Sequence, residues 1–134
     1  MAKVIALYGA ANTGKTTTLN KLIVWLGGRI DTRINEATGK PKDNSELLDV
    51  LGKKVFIGTA GDDVLAVEEN FRQVEAMKAD ILVLASRTKG GTIDTIQNHT
   101  TPEEIVWVRV PGIDNDLQNA CVLEIEKKIK GICQ

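Results

Sequence analysis

The chain has 134 residues, 43% of them apolar and 26% charged, with a formal net charge of −1. That length and composition belong to one globular domain able to bury about two-thirds of its unfolded surface. A charge so near neutrality excludes a broad basic field for DNA, RNA or an anionic membrane surface, and no apolar run approaches the ~20 residues that span a bilayer.

Val4 to Tyr8 is a short, continuous apolar run, the pattern of a strand buried on both faces. The helical pattern after it puts Leu19, Leu22, Ile23 and Leu26 on one face and stops at Gly27-Gly28. Arg29 to Ser45 is polar, holds Gly39 and Pro41, and reads as a long loop or a weak edge strand. Leu47 to Leu51 has two readings. It pairs with Val55 to Ile57 through a Gly52-Lys53 turn, or it forms a short helix from Ser45 to Gly52.

Val55 to Ile57 is the second buried apolar run. The helix after it repeats Val64, Val67, Phe71, Val74 and Met77 at three and four residues, with Asp62 or Asp63 placed to cap its N-terminus. Ile81 to Ala85 and Ile105 to Val110 are the third and fourth runs, with a short helix around Thr92 to Gln97 between them. In the last helix Leu117, Cys121, Ile125 and Ile129 recur every fourth residue, and Gly131 follows. Strands alternating with helices predict βαβ units around a parallel sheet. Trp25 and Trp107 are expected in or near its core.

Cys121 and Cys133 lack Cys-x-x-Cys spacing, and His99 is the only histidine, so no zinc site is expected. Two free thiols on one C-terminal helix fit a reducing cytoplasm. The N-terminus runs directly into the first strand without a signal-peptide pattern.

Gly9-Ala10-Ala11-Asn12-Thr13-Gly14-Lys15-Thr16 fits G-x-x-x-x-G-K-[ST] at every fixed position, between an apolar strand and a helical pattern. Glycines at positions 9 and 14 let backbone amides close around an anion where a Cβ would intrude. The helix N-terminus adds unpaired amides and a positive dipole end. Lys15 supplies a point charge for the β- and γ-phosphates, and Thr16 a hydroxyl for Mg²⁺.

On these residues the chain resembles the P-loop NTPases, and the motif their Walker A loop. The resemblance implies a single nucleotide-binding domain over residues 1–134. Its fold would be a three-layer α/β sandwich, with a small, mostly parallel sheet of four or five strands flanked by helices. It further implies that Gly9, Ala11, Asn12, Thr13, Gly14, Lys15, Thr16 and Thr17 bind ATP, or GTP, with Mg²⁺, Thr17 lying near the α-phosphate. Proteins of this kind carry a carboxylate near the metal after a second buried strand, and Asp62 is the candidate for metal and catalysis. Asp62 and Asp63 read equally well as helix caps.

Thr59-Ala60-Gly61 also resembles the switch II segment of Ras-like GTPases, although Gly58 stands where their aspartate belongs. No Asn-Lys-x-Asp motif follows any strand, and Thr88-Lys89-Gly90-Gly91 lacks both the Asn and the Asp, which favours adenine over guanine.

Ligands in doubly wound sheets sit at the carboxyl ends of the strands. This directs attention to Arg87, as a γ-phosphate contact, a base-stacking group or a plain surface residue, and to Arg109, which faces the base or simply the solvent. Resemblance to P-loop kinases implies that the loop at Pro111-Gly112 touches the base. The leading expectation is a Mg²⁺-dependent ATPase with Lys15, Asp62 and Arg87 as catalytic groups. The alternatives are a small kinase whose acceptor meets Arg29, Arg33, Lys40 and Lys42, or a nucleotide-dependent switch. A protein partner or a second copy would dock through residues 29–45.

Overall fold

The computed structural model describes residues 2–10, 13–88, 90–110 and 112–134, with residues 40 and 41 described by their backbone only. In chain order the elements are β1 (Lys3–Tyr8), α1 (Lys15–Trp25), β2 (Ile34–Asn35), β3 (Lys40–Pro41), β4 (Ser45–Val50), β5 (Lys53–Gly58), α2 (Val64–Met77), β6 (Ile81–Ser86), α3 (Gly91–His99), β7 (Ile105–Arg109) and α4 (Asn115–Cys133). Five strands form one sheet in the order β4-β5-β6-β1-β7, while β2 and β3 pair as a separate antiparallel ribbon. Within the large sheet only β4 runs antiparallel to its neighbour.

The continuous apolar runs exist because both faces of this sheet are covered. Successive residues of a strand point to opposite faces. Ile5, Leu7, Val55, Ile57 and Val83 therefore face one way, onto Leu19, Leu22 and Ile23 of α1 and Ile125 and Ile129 of α4. Val4, Ala6, Phe56, Leu82 and Leu84 face the other way, onto Val67 and Val74 of α2 and Ile96 of α3. Each fully buried aliphatic side chain contributes about 1.5–3 kcal/mol. The architecture is α/β, a mostly parallel five-stranded sheet with two helices on each face.

Of the two readings for residues 47–51, the strand is the observed one. The turn lies one residue earlier than Gly52-Lys53: Leu51 and Gly52 occupy it with φ of 51° and 81°, and Val50 pairs with Lys53. Positive φ at both central residues is the type I′ geometry, whose twist matches the flanking strands.

Three further expectations are corrected. Trp25 is 58% exposed at the C-terminal end of α1. Trp107 does lie near the core as expected, half-buried against its second cluster and edge-on to Tyr8. In α2 the centre of the buried face is Asn70, whose Nδ2 donates to Ala60 O at 2.9 Å, while Val64 and Met77 lie at the exposed ends. In α4, Gln118 is buried and Leu117 is not, and the helix continues through Gly131 to Cys133. Burial pushes the Cys121 thiol up to about 11. No helix among the described residues is long and apolar enough to cross a membrane.

Gly58 packs on this Asn70: a Cβ there would lie 2.0 Å from Asn70 Oδ1. Gly58→Ala is expected to cost about 1–3 kcal/mol in urea unfolding. The cost should shrink in an Asn70→Ala background, since the two sites are coupled. Equal costs in both backgrounds would contradict the contact.

Candidate functional site

β1 and β6 are parallel neighbours in register to Tyr8 and Ser86, and the amide of Gly9 continues the ladder onto Ser86 O at 3.0 Å. Beyond that point the chain turns under β7. A Cβ on Gly9 would sit 2.2 Å from Val110 Cγ1, and one on Gly14 would sit 2.6 Å from the carbonyl oxygen of Gly112. Gly14 also adopts φ +89°, so both fixed glycines of the motif are sterically required.

Gly14 is the N-cap of α1, with no side-chain acceptor and no acidic residue in the first turn. The other long helices differ: Asp63 caps α2 by accepting from Ala66 N at 2.8 Å, and Asp114 caps α4 by accepting from Leu117 N at 3.0 Å. The positive end of α1 thus carries no anion of its own cap.

Lys15 opens the helix and turns its side chain back into the loop. Its Nζ donates to Gly9 O at 2.7 Å, to Ser86 O at 3.1 Å and to Asp62 Oδ1 at 3.1 Å, and the residue is only 5% exposed. Two carbonyls orient the ammonium without neutralising it. The countercharge, Asp62, is 58% exposed.

Asp62 reaches Lys15 although β6 separates β5 from β1. The chain after β5 crosses the end of β6 at Gly61, where a Cβ would lie 2.0 Å from Ala85 O. Past this crossing, Asp62 meets the ammonium and Asp63 caps α2, so the two roles read for this pair fall to adjacent residues. Exposed Arg87 donates from Nε to the backbone oxygen of Asp62 at 3.1 Å, which ties it to the same loop.

A second carboxylate lies on the other side of the helix start. Thr16 Oγ1 donates to Asp43 Oδ1 at 3.3 Å, and Thr59 Oγ1 donates to the same oxygen at 3.3 Å. Neighbouring Asn44 locks the segment. Its Oδ1 accepts from Asp31 N at 2.7 Å, its Nδ2 donates to Asn20 Oδ1 at 3.0 Å, and its backbone N–H donates to Thr59 Oγ1 at 2.7 Å.

Sequence reasoning missed Asp43, which sits in a polar stretch without periodicity. One signal was available: an antiparallel strand paired to β5 must begin where β5 ends. The residues just before Ser45 then lie at the carboxyl edge of the sheet.

A groove of about 710 Å³, within the range of small-molecule sites, is lined by Gly14, Lys15, Thr16, Thr17, Asn35, Thr38, Lys42, Asp43, Asp62 and Ile113. Of the residues predicted for phosphate binding, Gly14, Lys15, Thr16 and Thr17 line it directly. Gly9 holds Lys15 from behind, and Thr13 Oγ1 closes a turn onto Ala10 O at 2.6 Å. Ala11 and Asn12 lie outside the described residues, as do Lys89 and Pro111.

Arg87 is not among the lining residues. Arg109 stands over the Tyr8 ring at 5.9 Å. His99 stacks on Phe71 and pairs with Glu68, beside a separate cavity. Arg33 and Lys42 pair with Asp31 at 2.8 and 3.6 Å, and the Arg33 side chain and amide hold that carboxyl well below the usual range. Among the described residues no group of three or more His, Cys, Asp or Glu gathers as a metal centre.

No protein-family model, no curated protein and no solved structure matches the chain.

Asn44→Ala removes the side-chain bonds that join residues 31, 20 and 44. It is expected to lower stability by about 1–3 kcal/mol and to speed tryptic cleavage at Arg33 and Lys42. An unchanged digestion rate would show that Asn44 does not hold this segment.

Proposed function

We propose that the chain is a P-loop nucleotide-binding protein that binds ATP with Mg²⁺ and hydrolyses its terminal phosphate. One observation carries the reading: a nearly buried ammonium, Lys15, is aimed by two strand-end carbonyls across the uncapped start of α1. A cation and backbone amides converging there form an anion site, and the groove outside is large enough for a nucleotide.

Lys15 stabilises the β- and γ-phosphates, and the first-turn amides of α1 hold the same chain of oxygens. Metal would be held by hard oxygen donors, and the Thr16 hydroxyl with a carboxylate beside it is such a set. Bound Mg²⁺ supplies Lewis-acid neutralisation of the phosphate oxygens. The sparse protein shell also fits, since Mg²⁺ with a triphosphate needs only one or two protein ligands.

In hydrolysis a water oxygen bonds to the γ-phosphorus and the bond to the β–γ bridging oxygen breaks. ADP and inorganic phosphate result. In this reading Asp62, bonded to Lys15, would orient that water, and Arg87, bonded to the Asp62 backbone, would swing to meet charge on the γ-phosphate.

Adenine is favoured over guanine. The chain between β6 and α3 has no carboxylate, and the one between β7 and α4, Asp114, is used as a helix cap. The kinase reading has less support, because Arg33 and Lys42 are engaged by Asp31. A nucleotide-dependent switch is favoured by a different observation, the bridge from Thr16 through Asp43 to Thr59, which joins three segments around the groove.

Lys15→Ala is expected to abolish ATP binding by calorimetry, with the far-UV circular dichroism and cooperative melting kept. Phosphate release from ATP and Mg²⁺ with no acceptor added should be measurable for the parent chain and absent for the variant. Equal affinity in both proteins would remove the reading.

A further inference from the structure

We propose that Asp43, and not Asp62, is the carboxylate of the Mg²⁺ site beside Thr16, acting directly or through a coordinated water. The inference rests on the triphosphate reading and specifies its metal shell. Two carboxylates border the groove, and their surroundings differ.

Asp62 Oδ1 is bonded to the Lys15 ammonium at 3.1 Å. It serves as the countercharge of a lysine whose work in that reading is to meet phosphate. Asp43 faces no ammonium at hydrogen-bond distance among the described contacts. It faces two hydroxyls, Thr16 and Thr59.

The Thr16 hydroxyl carries one proton and two lone pairs. With its proton directed to Asp43, its lone pairs remain for a cation. Its oxygen lies 3.3 Å from Asp43 Oδ1. Adjacent ligands of an octahedral Mg²⁺ shell stand about 3 Å apart, given bonds of about 2.0–2.1 Å. The pair already has close to the separation of neighbouring ligands.

The fold holds this carboxylate in place. Asn44 anchors the next residue to Asp31, Asn20 and Thr59, and Thr59 N donates to Asn44 O at 2.9 Å. Thr59 is only 1% exposed, so the bridge stands on a rigid base. Such support around a metal-side group is worth about 10- to 100-fold in metal affinity. Because Asp43 lies outside the sheet, between the β2–β3 ribbon and β4, metal and nucleotide would together fix the position of that segment.

The test measures ATP affinity by calorimetry in Mg²⁺ and in EDTA for the parent chain, Asp43→Asn and Asp62→Asn. Asparagine keeps an acceptor for Thr16 and Thr59, so Asp43→Asn should melt with the parent. It is expected to lose about 10- to 100-fold of the Mg²⁺-dependent gain in affinity, with its affinity in EDTA unchanged. Asp62→Asn should keep the gain.

A full Mg²⁺ gain in Asp43→Asn, or its loss only in Asp62→Asn, would overturn the proposal while the triphosphate reading stands. A parent chain that binds ATP in neither condition would remove both. If Asp43→Asn does not fold, Asp43→Glu is read in its place. Its longer reach still allows the carboxylate to bind through a water, so there the proposal is overturned if Asp43→Glu keeps the parent's gain and Asp62→Asn loses it.

Discussion

Two backbone carbonyls, those of Gly9 and Ser86, decide where the Lys15 ammonium sits. They can do so only because β1 and β6 are parallel neighbours that end at the same level. That adjacency depends on the double-sided core beneath it, with α1 and α4 on one face and α2 and α3 on the other. It also depends on tight passages without side chains, at Gly9 under Val110, at Gly14 under Gly112 and at Gly61 over Ala85. Together they bring the segments that follow β1, β5 and β7 to one edge. The ammonium at the start of α1 and both carboxylates therefore converge although they come from three separate stretches of sequence.

The parts legible in the sequence were those whose signal is local. The apolar runs marked the four parallel strands, because a strand covered on both faces needs no alternation, although β7 lies at the sheet edge with only Val108 buried. The loop motif marked Lys15 and Thr16, because its spacing reflects a turn contained within eight residues. The readings that failed depended on partners far along the chain. Asn70 inside α2 is explained by Ala60 O and Gly58. Asp43 was hidden for the same reason: its meaning comes from Thr16 and Thr59, neither of which marks it from a distance.

The two carboxylates divide along charge. Asp62 balances a cation, and Asp43 accepts from neutral hydroxyls. A triphosphate brings its own negative charge to Lys15 and, with Mg²⁺, a positive charge to Thr16. The exchange would loosen the first contact and reinforce the second. Under the proposed nucleotide reading the first change would release Asp62, and the second would fix residues 43–44. In that reading turnover and switching would be two consequences of one arrangement, separated by how fast the terminal phosphate leaves.

The central claim is that the amides opening α1, together with Lys15, form the seat of a phosphate chain. It is tested most directly by following backbone amide resonances while Mg²⁺ and a non-hydrolysable ATP analogue are added. The account predicts that the largest, saturable shifts fall on Gly14, Lys15, Thr16 and Thr17. Saturable shifts confined to another surface, such as the cavity beside Phe71 and His99, or no shifts at millimolar nucleotide, would contradict it.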